Sequence, residues 1–124
     1  MSKILVVDDE EKIRDVYLRL LVQAGFIVRS AANAQQAMGI LVREPVDLVL
    51  LDLKMPRIYG RAMFDVIESN HQDTKVIISS VYPIVKQKEL VSNADDYYDK
   101  SEGPLSLLAK VSHVLGTAAE GGGK

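Results

Sequence analysis

The sequence predicts an α/β domain of the doubly wound kind, a five-stranded parallel sheet covered by helices on both faces. Short runs of Ile, Val and Leu alternate with segments whose apolar residues recur at helical spacing, as in successive βα units. Some of these runs are continuously apolar, which suits strands buried on both faces. Acidic residues stand directly after the first and third runs, the end of a parallel sheet where functional groups gather.

Each element follows in turn. Ile4 to Val7 is the first strand. Ile13, Val16, Leu20, Leu21 and Ala24 form the inward face of the first helix, Glu10 and Glu11 put negative charge at its start, and Gly25 closes it. Ile27 to Ser30 is the second strand. Asn33 caps a second helix that turns Ala34, Ala37, Met38 and Leu41 inward. After Pro45, Asp47 to Leu51 reads as the central strand. A loop from Asp52 to Gly60 leads to a third helix, from about Arg61 to Asn70, with Met63, Phe64 and Ile67 inward. Val76 to Ser79 is the fourth strand.

Between Pro83 and Asn93, Ile84, Val85, Leu90 and Val91 give only a partial helical face, so a short or irregular fourth helix is expected. Asp96 to Tyr98 is the last strand. Pro104 opens a fifth helix with Leu105, Leu108, Val111 and Leu115 inward. The domain is expected to span residues 1–116. Residues 117–124, ending in three glycines and a lysine, are expected to form a flexible tail.

Composition narrows the function. A chain of 124 residues fits one domain with its own core, and 48% hydrophobic with 26% charged residues argues against disorder. A net charge of −2 offers no basic footprint, so no direct nucleic-acid partner is expected. The absence of cysteine removes disulfides and thiolate metal sites. No apolar run is long enough for a signal peptide or a membrane span, and a cytoplasmic protein without a membrane partner is expected. His71 and His113 are read as exposed, and Asp95, Asp96 and Asp99 as solvated acids.

The acids carry the chemistry. Right-handed crossovers with sheet order 2-1-3-4-5 set the first and third strands side by side, so Asp8, Asp9 and Asp52 converge at the sheet's carboxyl end. Two carboxylates about 4 Å apart repel by several kcal/mol at an effective dielectric near 20, so positive charge belongs there. Mg²⁺ is the natural candidate, a hard cation that takes oxygen ligands and bridges carboxylates to phosphate. Lys100, after the fifth strand, supplies an ammonium, and Ser80, after the fourth, a hydroxyl. A carboxylate nucleophile with a metal, a lysine and a hydroxyl makes a phosphoryl-transfer site.

In order and spacing, Val7-Asp8-Asp9-Glu10, Leu51-Asp52-Leu53-Lys54-Met55-Pro56, Gly60, Ser80 and Asp95-Asp96-Tyr97-Tyr98-Asp99-Lys100 resemble the receiver domains of bacterial response regulators, which share the flavodoxin-like fold. The resemblance runs from Lys3 to about Leu115. It implies that Asp52 takes the phosphoryl group from a histidine kinase or phosphotransfer protein. Asp9 and Asp52 would hold Mg²⁺ with the Lys54 carbonyl, and Asp8 would hold a metal-bound water. Lys100 would pair with a phosphoryl oxygen, and Ser80 would move to bond another. Tyr97 would swing inward as Ser80 moves, changing the face made by the fourth helix, fifth strand and fifth helix for a downstream protein partner. Lys54, Val81 and Tyr82 would flank the mouth of the site and tune loss of the phosphoryl group, Tyr82 by shielding it from water. The resemblance thus implies a regulatory phosphoacceptor, not a turnover enzyme.

The chain departs from that pattern at several places. Ser101 replaces the proline after the receiver lysine, where the peptide bond is typically cis; Lys100 is still expected to reach the site. Val81 stands where Ala or Gly is usual, Ile58-Tyr59 replaces Met-Asp, and the segment from Ser80 to Lys100 is short. Two rival readings follow: a degenerate receiver that binds partners without phosphorylation, and an aspartyl-nucleophile phosphatase. The phosphatase group carries a second Asp two residues after the nucleophile, and that position is Lys54 here. A flavin module would need a Ser/Thr/Gly-rich loop after the first strand, which is absent.

Overall fold

The computed structural model describes residues 1–53 and 57–116, with residues 57–59 as backbone alone. Its elements alternate along the chain as β1 (Lys3–Val7), α1 (Glu11–Gln23), β2 (Ile27–Ala31), α2 (Ala34–Arg43), β3 (Leu48–Asp52), α3 (Arg57–Asn70), β4 (Lys75–Ser80), α4 (Ile84–Leu90), β5 (Asp96–Asp99) and α5 (Pro104–Leu115). A 3₁₀ turn, Lys100–Glu102, joins β5 to α5. All strand pairs are parallel, in the order β2-β1-β3-β4-β5, as expected. Lys54 and the expected tail, 117–124, lie outside the described residues, as do the side chains of Ile58 and Tyr59.

The continuously apolar strands serve two cores. Ile4 and Val6 of β1 pack with Tyr17 and Leu21 of α1 and with Leu107 and Val111 of α5. Leu5 and Val7 pack on the opposite face with Ala37 and Leu41 of α2 and Met63, Phe64 and Ile67 of α3. A side chain alternating faces at each step needs an apolar neighbour on both, so the run carries no polar residue until Asp8. Asn33 caps α2 as expected, accepting from Gln36 N at 2.9 Å. Among the described residues no helix is long and apolar enough to cross a membrane.

Several expectations need correction. The inward face of α1 is set by Tyr17 and Leu21, while Val16 is 55% exposed and Ala24 also faces outward. Tyr17 fills that place by lying edge-on to Tyr98 of β5, ring centroids 6.3 Å apart. In α5, Leu107 is fully buried and Leu105, in the first turn, is 79% exposed. The third helix begins at Arg57 rather than near Arg61, so Gly60 lies inside it. There Gly60 packs tightly on the end of β3: a Cβ would stand 3.4 Å from Leu53 Cδ2 and 3.5 Å from Asp52 O. The glycine that looked like a loop signal instead permits close approach. In α4, short as expected, Val85 faces solvent and the buried position belongs to Gln87. His71 is half-buried rather than exposed, whereas His113 is exposed as expected.

These assignments are open to test by urea unfolding. Leu107→Ala is expected to cost about 2–5 kcal/mol, as for other large-to-small core changes. Leu105→Ala is expected to stay within about 0.5 kcal/mol of the parent. The reverse ranking would return α5 to the face read from the sequence.

Candidate functional site

The register of the sheet builds the acidic pocket. Val7 of β1 pairs with Leu51 of β3, so the next residues, Asp8 and Asp52, leave adjacent strands at the same end. One carboxylate oxygen from each of Asp8, Asp9 and Asp52 lies within 4.8 Å of the others. Asp8 and Asp52 are buried, whereas Asp9 is exposed and opens the cluster to solvent. Asp8 also orders the start of α1: its Oδ1 accepts from Glu10 N at 2.9 Å and its carbonyl accepts from Arg14 Nη1 at 2.7 Å. The same residue thus orders the helix start and lines the pocket.

Lys100 brings the positive charge. Its Nζ lies 2.9 Å from Asp8 Oδ2 and 3.4 Å from Asp52 Oδ1, with only 10% of the side chain exposed. Burial alone pulls the ammonium pKa down, but the Asp8 hydrogen bond and the charges of Asp52 and Asp8 outweigh it, leaving it above the usual lysine value. The group is a fixed cation.

Ser101 explains how the lysine reaches its place without a proline. No described peptide bond is cis, so the 100–101 bond is trans. The Ser101 N–H and hydroxyl donate to Asp99 Oδ1 at 2.9 and 2.8 Å, while Asp99 N donates to Glu102 Oε2 at 3.0 Å. This reciprocal capping box closes the turn that carries Lys100. A proline there would offer neither donor. The acids of this segment are therefore more than solvated charges. Asp95 accepts from Val76 N at 2.8 Å and Asp96 from Tyr97 N at 2.8 Å, tying down the strands.

At the end of β4, Ser80 is fully buried and its Oγ accepts from Tyr82 N at 3.0 Å. Tyr97 lies inside, its hydroxyl donating to Val91 O at 2.6 Å and accepting from Ala94 N at 3.2 Å. Val81 and Tyr82, 59% and 37% exposed, stand at the surface after β4. Gln87 and Tyr17 went unnoticed in the sequence, and Ser79 was read only as the end of the fourth strand. Gln87 is fully buried, and its Nε2 donates to Tyr82 O at 2.8 Å and Tyr98 O at 2.9 Å. Ser79 is buried, its Oγ without a hydrogen bond of ordinary geometry. Tyr17 stands beside it. Its hydroxyl is pushed well above the usual tyrosine range, first by burial, then by Tyr98, with Asp8 and Asp52 adding to the rise and the Ser79 hydroxyl opposing it. The phenol is thus a neutral group under the field of the acids.

A parallel sheet in this order, with three acids and a lysine at its carboxyl end, defines a receiver-type signalling domain. The chain belongs to the response regulator receiver domain family of two-component systems, whose model matches residues 4–112. It is 36% identical over 92% of its length to the probable transcriptional regulator ycf27 of Porphyridium aerugineum, and 32% identical over 92% to the regulatory protein VanRc of Enterococcus gallinarum. It spans about half of these relatives, 48% and 50% of their lengths. Among solved structures, the response regulator TrrA of Thermotoga maritima in complex with Mg²⁺-BeF is 32% identical with a TM-score of 0.83, covering 92% of this chain and 99% of that one. A CheY-like receiver domain protein of Methanospirillum hungatei is 27% identical with a TM-score of 0.85, covering 98% and 99%.

The capped turn has a measurable signature. The backbone N–H of Ser101, and then its hydroxyl, hold the Asp99 carboxyl below its usual range. A lowered folded-state value means that the contribution is present at neutral pH and lost as pH falls through it. With both donors removed in Ser101→Pro, Asp99 is expected to titrate closer to an ordinary aspartate by carbon NMR. An unchanged titration would show that other groups hold the turn.

Proposed function

We propose that the domain is a phosphoacceptor switch in which Asp52 takes a phosphoryl group from the phosphohistidine of a histidine kinase or phosphotransfer protein. The observation that carries this reading is the meeting of Asp8, Asp9 and Asp52, oxygens within 4.8 Å, with the Lys100 ammonium on two of them. The donor set is all oxygen and partly open to solvent through Asp9, which fits Mg²⁺. Asp8, Asp9 and Asp52 would hold the ion with the Lys54 carbonyl. When bound, it supplies charge neutralisation for the carboxylates and the phosphoryl oxygens. The Mg²⁺-BeF complex of the Thermotoga relative supports the same assignment.

Asp52 contributes the nucleophile. One of its oxygens forms a bond to phosphorus as the donor's phosphorus–nitrogen bond breaks. The bonding pair stays on the imidazole nitrogen, which takes up a proton. Lys100, held between Asp8 and Asp52, offers its ammonium to a phosphoryl oxygen. Ser80 turns its hydroxyl to another, giving up the bond from Tyr82 N. That exchange loosens the loop after β4 beside the buried Tyr97, and the face of α4, β5 and α5 presents the result to a protein partner. Tyr82 and Val81, at the surface beside this loop, would tune access and the lifetime of the acyl phosphate. The domain acts in the cytoplasm as a regulator without turnover of a separate substrate, and without direct nucleic-acid contact of its own.

Incubation with acetyl phosphate and Mg²⁺ is expected to add one phosphoryl group by intact mass, and Asp52→Asn to abolish it. Persistent addition in that variant would reject Asp52 as acceptor; none in the parent would favour a degenerate receiver. Mg²⁺ at about a hundred times its dissociation constant should stabilise the parent by about 2.7 kcal/mol in thermal melts. A response that survives Asp9→Asn and Asp52→Asn together would place the ion elsewhere.

A further inference from the structure

On the face of the sheet covered by α1 and α5, the apolar packing is interrupted directly beside Asp52. Asp52 pairs in register with Ser79 of β4, and Ser79 with Tyr98 of β5, so their side chains form one row on one face. Neighbouring strands lie about 4.8 Å apart, which brings a serine hydroxyl within reach of the adjoining carboxylate. Tyr17 lies over the row, edge-on to Tyr98. Hydrocarbon surrounds it: Ile4, Val6, Leu50, Ile77 and Leu107.

The hydroxyls differ in their engagement. That of Tyr98 donates to Gly103 O at 2.9 Å. That of Ser79, on a residue 1% exposed, makes no hydrogen bond of ordinary geometry and has the Tyr17 hydroxyl as its polar neighbour. Ser80, on the opposite face, already accepts from Tyr82 N. The strand positions before Ser79 are Val76, Ile77 and Ile78, and a fourth apolar residue would leave no buried donor stranded.

We propose that Ser79 is a positioning residue for Asp52, its hydroxyl held in reserve and completed by that of Tyr17 as a polar floor beneath the carboxylate. The inference rests on the reading of Asp52 as phosphoacceptor. As the carboxylate turns to meet the phosphoryl group, the Ser79 O–H donates to the oxygen that does not attack, leaving the other oriented toward phosphorus. That oxygen becomes the carbonyl of the acyl phosphate and still accepts the bond. In so buried a layer a hydroxyl dipole close to charge acts with little screening. Tyr17, neutral and buried, keeps the Ser79 proton directed at Asp52 rather than at the core.

Ser79→Thr and Ser79→Val separate this from packing, because the two variants share a shape and differ by a hydroxyl against a methyl. Intact mass follows phosphoryl gain from acetyl phosphate with Mg²⁺ in the parent, both variants and Tyr17→Phe. A parent that gains nothing overturns the phosphoacceptor reading and this inference with it. Given gain in the parent, Ser79→Val is expected to react about tenfold more slowly than Ser79→Thr at similar melting temperature, as for loss of a hydrogen bond to a charged group. Tyr17→Phe is expected to slow as well. Equal rates for the Thr and Val forms overturn the role of Ser79 while leaving Asp52 as acceptor. If the Val form does not fold, Ser79→Ala is compared with the parent, and equal rates again overturn the role.

Discussion

Crowded negative charge at one end of a buried sheet is the constraint on which the rest of this molecule depends. Asp8 and Asp52 are withdrawn from water, and with Asp9 they share one small volume. Unscreened carboxylates at that separation repel strongly, and a single ammonium from 92 residues along the chain answers two of them. Lys100 follows directly after the edge strand and crosses in front of β4 to reach β3 and β1, which takes a long unbranched stem. The capped turn after β5 exists to aim that stem. First strand, central strand and last strand are thereby tied into one electrostatic unit.

The sheet was legible because burial on both faces leaves an unmistakable trace: Ile4 to Val7 and Leu48 to Leu51 contain nothing polar. The strand-end acids were legible for the complementary reason, that a carboxylate following such a run has nowhere to go but the rim. Helix faces were harder. Val16 and Leu105 satisfied the helical period as well as Tyr17 and Leu107 did, and only packing distinguishes neighbours on the rim of a face. Gly60 was misread because a glycine needed for close approach looks the same as one needed for a turn.

Polar groups inside the core were the least visible. Ser79 was overshadowed by Ser80, although register with Asp52 depends on which of two adjacent serines faces which layer. Tyr17 carries a hydroxyl that pattern reading counts against burial, yet its ring completes the α1 core. Gln87 offered one trace: it continues the spacing between Ile84 and Val91 where an apolar residue would be expected. The trans bond at Ser101 was beyond inference, because it depends on the Asp99 and Glu102 side chains folding back on the turn.

The carboxamide of Gln87 gives α4 a particular character. A helix of seven residues has too few internal hydrogen bonds to persist by itself, so its order is borrowed from its surroundings. Its buried anchor grips Tyr82 O on one side and Tyr98 O on the other. Both acceptors are backbone, which leaves the amide nitrogen facing them and the carbonyl end of Gln87 with no hydrogen bond in the interior. Such a fastening has little margin. Loss of either backbone acceptor would leave this short helix with few internal hydrogen bonds to hold it, which puts α4 among the least independently stable elements of the fold.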